Sequence, residues 1–118
     1  MTDRDDDDTD APTTEWDEAL AASLIGKYVI AGFIYLERDG ISVRERVQVH
    51  GIVVDATRGE GFTLSLKGKR LGETLTLPPN TNAFIKADAG KYRLKGTNEL
   101  VYDPDYTSLW TINMPVLH

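Results

Sequence analysis

A chain of 118 residues with 19 acidic and 13 basic side chains, net charge −6, has room for one modest hydrophobic core and no second domain. It contains no cysteine, which excludes a disulfide framework, a Cys-ligated zinc site, a thiol nucleophile and a CxxC redox motif, and suits a reducing compartment. No apolar run approaches the roughly 18 residues of a membrane helix, and the N-terminus lacks the apolar stretch of a secretory signal, so a soluble cytoplasmic protein with no membrane partner is expected.

The charge is unevenly distributed. Residues 1–18 hold nine acids and one base, net −8, whereas the remaining hundred hold ten acids and twelve bases, net +2. The run Asp5, Asp6, Asp7, Asp8 repels itself and offers no apolar surface to bury, so residues 1–13 are expected to form a disordered acidic tail. Such an arm could steer a basic partner by long-range attraction.

Residues 14–26 have helical spacing, with Trp16, Ala19, Leu20, Ser23 and Leu24 recurring on one face. Thr14 and Asp17 resemble a capping box, and Gly26 supplies a C-terminal stop. A helix this short is marginal alone, so Trp16 and Leu20 are expected to dock on the body formed by residues 27–118.

From Lys27 the period becomes two. "KYVIAGFIYLE" is apolar on both faces, which predicts a strand covered on both sides by the helix and a barrel interior; Asp39-Gly40 then signals a type I′ hairpin turn. The return strand places Ile41, Val43, Val47, Val49 and Val53 on one face and Arg44, Arg46, Gln48 and His50 on the other. Glu45 shares the parity of the valines, so it lies near a strand end or at a bulge. Gly32 and Gly51 mark candidate bends.

Shorter strands follow: "GFTLSLK" with Phe62, Leu64 and Leu66 inward, "TLTL" stopped by Pro78-Pro79, and "GKYRLKG" with Tyr92 and Leu94 opposed to Lys91, Arg93 and Lys95. "PPNTNAF" reads as a loop or one 3₁₀ turn, and "ELVY" and "SLWTINM", with Trp110, Ile112 and Met114 in the core, are the last strands. The expected fold is mainly β: a small antiparallel barrel or sandwich of about five to six strands, preceded by one short α-helix and the acidic tail. Its shape would be SH3-like or Sm-like, an analogy that carries no function. The strings "GKYVIAGFIYLERDG" and "GKYRLKGTNELVYDPDYTSLWTI" resemble uncharacterised small bacterial β-rich proteins with an N-terminal helix. That resemblance implies a bacterial, compact β domain and supplies no activity or site.

Catalytic groups are sparse. His50 is the only histidine before the terminal His118, no serine sits in a G-x-S-x-G elbow, and the glycine pairs lack the spacing of a dinucleotide fingerprint or a P-loop. Asp103 and Asp105 flank a proline and read first as a turn, with a paired-carboxylate site as the alternative. No catalytic residue, metal site or cofactor is therefore expected. What remains is surface: Arg44, Arg46, Gln48 and His50 in one stripe, Lys91, Arg93 and Lys95 in another, and Lys67, Lys69 and Arg70 at a hairpin tip. These features suggest a non-catalytic protein-interaction domain of inhibitor, immunity or accessory type. The alternative is a small nucleic-acid-binding barrel whose acidic tail masks its basic faces.

Overall fold

The computed structural model describes residues 16–113, which are mainly β, with one α-helix and eight strands in two sheets. The Asp5 to Asp8 run, the proposed cap Thr14 and the expected core residue Met114 lie outside those residues. The helix α1 spans Glu18–Leu24, and its cap is Asp17 itself, whose side chain accepts the Leu20 amide at 3.0 Å. Ala21 and Leu24 are buried, Leu20 packs beside them, and the Trp16 ring stacks on Phe62 with centroids 5.2 Å apart.

Six strands form the main sheet: β1 (Tyr28–Leu36), β2 (Val43–Thr57), β3 (Gly61–Leu66), β4 (Thr74–Leu77), β5 (Phe84–Lys86) and β8 (Tyr106–Asn113), in the order β4-β3-β2-β1-β8-β5. The β1/β8 pair is parallel and the other pairs, the central β1/β2 included, are antiparallel. The remaining strands, β6 (Lys91–Arg93) and β7 (Leu100–Tyr102), make a separate antiparallel pair.

The expected closed barrel is not formed. Edge strands β4 and β5 do not pair; Pro78 and Pro79 end β4, and a 3₁₀ turn at Thr81–Ala83 leads into β5. The sheet curls nonetheless, since Phe62 of β3 and Phe84 of β5 meet with ring centroids 4.6 Å apart. Its inner face gathers Val29, Ala31, Val49, Val53, Leu64, Leu66 and Leu77 around these rings, closed by α1. On the outer face, β6 and β7 lay Leu94 and Val101 against Ile30, with Tyr28 and Tyr92 packed alongside. The apolar first half of β1 is thus covered twice, by the helix-capped core and by the β6/β7 pair rather than by a barrel wall.

The first hairpin also departs from the expected geometry. Its loop runs from Glu37 to Ser42, with the Glu37 amide donating to the Ser42 carbonyl and the Gly40 amide to the Glu37 carbonyl. Gly40 has φ +73° but Asp39 is not left-handed, so a type I′ turn, which needs both, is absent. Asp39 instead caps the loop, accepting the Ile41 and Ser42 amides at 2.8 Å each and the Ser42 hydroxyl at 2.7 Å. These bonds, the Ile41 amide foremost, hold the Asp39 carboxyl below its ordinary pKa.

A bulge follows at Arg44, because Leu36 pairs with Val43 but Tyr35 pairs with Glu45. It puts Val43 and Glu45 on opposite faces, so Val43 is 43 % exposed and does not join Val47 and Val49 on the core face; Ile41 is exposed in the loop. From Glu45 onward the register places Arg46, Gln48 and His50 opposite Ile34, Gly32 and Ile30 on the outer face.

Candidate functional site

The outer face of β2 is divided by the β6/β7 pair. His50 lies beneath it at 7 % exposure, in contrast to the open stripe expected from parity. The same cross-strand register brings Tyr28 diagonally beside it, and the Tyr28 hydroxyl lies 2.6 Å from His50 Nδ1. On the other side of the ring, His50 Nε2 lies 2.8 Å from Glu99 Oε1, which also accepts the Lys69 amide at 3.2 Å. An ionised carboxylate only accepts, so Nε2 carries a proton, and in the neutral ring Nδ1 then accepts from the phenol. Burial pushes the Glu99 carboxyl up, but the bond from His50 and the Lys69 amide outweigh it and leave its pKa below the ordinary value. Burial, followed by the negative Glu99, raises the Tyr28 phenol.

The Tyr28-His50-Glu99 chain is a continuous hydrogen-bonded clamp between three segments. The chain joins β1, β2 and the loop before β7, and Gly68 closes over it: at φ +70°, its backbone leaves no room for a Cβ against Glu99 Oε1 and His50 Nε2. Tyr28 and His50 share a face by parity, so that pair is readable from sequence once the register is known. Glu99, 49 positions from His50 and in a loop, gives no such signal.

The other acid candidates resolve into turns. Asp103, at φ +52°, accepts the Gly90 amide at 2.8 Å, and Asp105 accepts the Tyr28 amide at 2.8 Å. Both carboxylates serve backbone donors and neither reaches His50 directly. Among the described residues no cluster of three or more His, Cys, Asp or Glu side chains could hold a metal ion, and no helix is long and apolar enough to cross a membrane.

Beyond the β6/β7 pair the outer face is open. Here Arg46 and Gln48 meet Lys95, whose amide donates to Gln48 Oε1 at 2.8 Å while the Gln48 amide donates to the Lys95 carbonyl at 3.0 Å. The structure thus joins part of the first basic stripe to one end of the second. These residues border a groove of about 200 Å³ floored by Gly32, Ile34 and Leu109. Leu109 is 62 % exposed and leans over Gly32, where an added Cβ would come within 3.2 Å of its Cδ1. Ile85, on the neighbouring β5, is 66 % exposed. Arg44 is exposed at the bulge.

Lys91 and Arg93 are separate from this groove. They point outward from β6, directly opposite Tyr102 and Leu100 of β7. Tyr102 is 60 % exposed, an outward aromatic that sequence reading placed in a strand without assigning it a face. Lys69 donates to the Thr97 carbonyl at 3.0 Å, and Arg70 is paired with Glu73 at 2.8 Å, so two cations of the hairpin tip are tied to local partners.

No family model, no curated protein and no solved structure matches the chain. The fold class, a mainly β domain with an open curled sheet, is what the chain itself defines.

Proposed function

We propose that this is a non-catalytic binding domain that recognises another protein through the uncovered half of its outer sheet face. The observation that carries this reading is the pairing of an apolar floor, the exposed Leu109 with the half-buried Ile34, with a cationic rim of Arg46 and Lys95. An apolar centre inside a charged rim is the composition of a protein interface, and the rim selects an acidic partner. Three-residue β5 leaves the adjoining sheet edge short, so side chains rather than strand addition supply the recognition.

The test is affinity capture from lysate with the full chain, Leu109→Asp and Arg46→Glu as baits. Both positions are exposed, so the fold tolerates them. A nuclease-resistant protein held by the wild type and lost with Leu109→Asp supports the reading; the same proteins held by all three baits remove this face from recognition.

A second reading has its own observation. Lys91 and Arg93 beside the exposed Tyr102 form a cation-aromatic strip on the outer face of β6/β7, suited to a single-stranded nucleic acid. Steeply salt-dependent binding of an oligonucleotide that is abolished by Tyr102→Ala with Arg93→Glu supports it, and no binding at low salt by a chain with Asp5 to Asp8 changed to Asn dismisses it.

A further inference from the structure

Arg46 and Lys95, the cations at the rim of the outer groove, form no ion pair among the described residues. The rest of the groove lining, Gly32, Phe33, Ile34, Val47, Gln48 and Leu109, contains no acid to answer them. Cations gathered at one rim without a counter-charge raise the local potential and draw in an acidic group. The larger cavity on the inner face of the same sheet half, about 470 Å³ and walled chiefly by apolar side chains, Phe33, Val47, Leu75 and Trp110 among them, has no such pull, because its one cation, Arg70, is held by Glu73 at 2.8 Å.

The chain carries its own source of acid, in the residues before Trp16. The Asp17 amide donates to the Thr81 hydroxyl at 3.0 Å, which fixes the start of α1 beside the 3₁₀ turn that leads into β5, at the edge of the sheet. Phe84 of β5 is level with Ser108, Ala31 and Val49, and the groove residues Leu109, Gly32 and Gln48 lie one register step further on. From that edge the strand of Arg46 is three strand spacings away, about 15 Å, and passing from the inner to the outer face adds roughly 10 Å. Nine residue steps separate Asp17 from Asp8, and an extended chain of that length covers about 30 Å. The aspartate run therefore has the reach as well as the charge.

We infer that Asp5 to Asp8 of the same chain occupy the Arg46 and Lys95 rim and compete there with the acidic partner. This regulatory role rests on the groove being the recognition face proposed above. A tethered segment acts at an effective concentration in roughly the millimolar range, so weak contacts suffice to hold it. The competitor is also incomplete, since four aspartates meet the cations and bring nothing apolar to Leu109 and Ile34. A protein that offers charge alone is kept out, whereas one that adds an apolar side chain over Leu109 displaces the arm. The partner class narrows accordingly to acidic segments that carry an apolar anchor.

Because the chain has no cysteine, Thr9→Cys in the full-length protein takes a single nitroxide label beside the aspartate run. Amide signals of the nitrogen-15 protein are compared with the label oxidised and reduced, at low salt and at about 1 M salt, where the screening length falls to about 3 Å. Loss of at least half the intensity at Gly32, Leu109 and Lys95 is expected at low salt, with recovery at high salt. The same recovery is expected at low salt in Arg46→Glu and when Asp5 to Asp8 are changed to Asn. Full intensity at those amides at low salt overturns the assignment, as does broadening centred instead on Lys91 and Arg93, or broadening that survives high salt and Arg46→Glu. Broadening passed from a labelled chain to an unlabelled nitrogen-15 chain in a mixed sample overturns it too, since the contact would then lie between chains. The sample holds no partner, so the two readings fail separately: capture lost with Leu109→Asp alongside an unattached arm refutes the arm and keeps the recognition face.

Discussion

Replacing Glu99 with alanine isolates the clamp beneath the β6/β7 pair. Glu99 Oε1 takes two hydrogen bonds, and their losses are unequal. The Lys69 amide lies at an exposed position where water can replace the carboxylate, so its loss costs little. His50 Nε2–H is in a residue 7 % exposed and would be left without an acceptor. A buried unsatisfied donor costs about 1–3 kcal/mol. For a domain of this size each kcal/mol moves the melting midpoint by about 4–8 °C, giving an expected fall of about 5–20 °C.

The pH dependence follows from the depressed carboxyl. Between the lowered folded value and the ordinary value, the unfolded state binds more protons, so stability rises with pH. The contribution of Glu99 is therefore fully present above the ordinary glutamate range and is lost as pH falls through the folded value. Urea unfolding of wild type and Glu99→Ala should show a gap at pH 7 that narrows toward about pH 3, where carboxylates are largely protonated. Curves that coincide within about 0.3 kcal/mol at pH 7, or a gap of constant size down to pH 3, would refute the clamp.

Gly68→Ala should destabilise by more than about 1 kcal/mol, since a residue with a Cβ is strained at φ +70° and here also collides with Glu99 Oε1; an unchanged urea midpoint would show that the turn can relax away from the clamp. Changing Asp5 to Asp8 to Asn should speed association with the acidic partner that the Arg46 and Lys95 rim selects at low ionic strength and make no difference at high salt, where charges separated by more than a few ångströms are screened. Stopped-flow rates measured at both salt concentrations decide this, and equal rates at low salt remove the arm from association.

Side-chain periodicity was legible wherever one face met a core. Phe62, Leu64 and Leu66 are buried as their alternation requires, and Lys91 and Arg93 stand outward from Tyr92 and Leu94. What could not be read was register and layer. Asp39-Gly40 marks the right place for the turn, but the Arg44 bulge that moves Val43 off the core face announces itself only by the odd parity of Glu45. Alternation alone likewise cannot distinguish a polar residue facing water from one facing a second layer. His50 shares parity with Arg46 and Gln48, yet the short β6/β7 pair covers His50 and stops before Arg46. Of the partners that make burial tolerable, Tyr28 follows from the β1/β2 register, whereas Glu99 lies 49 positions from His50 in a loop and gives no signal.

The same boundary divides the whole sheet. In one half β1 is packed on both faces, by α1 and the phenylalanines inside and by Leu94 and Val101 outside, and the Tyr28-His50-Glu99 chain ties those layers together. In the other half β6 and β7, three residues each, do not reach, and the curled sheet leaves space inside because β4 and β5 do not close. Phe33 and Val47 consequently contribute to both the inner cavity and the outer groove. Burial and directional bonds are thus concentrated where they fix the fold, and the β1-β2-β8 segment that carries little covering presents apolar groups on both of its sides and cationic ones on the outer. A domain needs a rigid base to hold an uncovered sheet in place, and here the base and the open surface are successive halves of the same three strands.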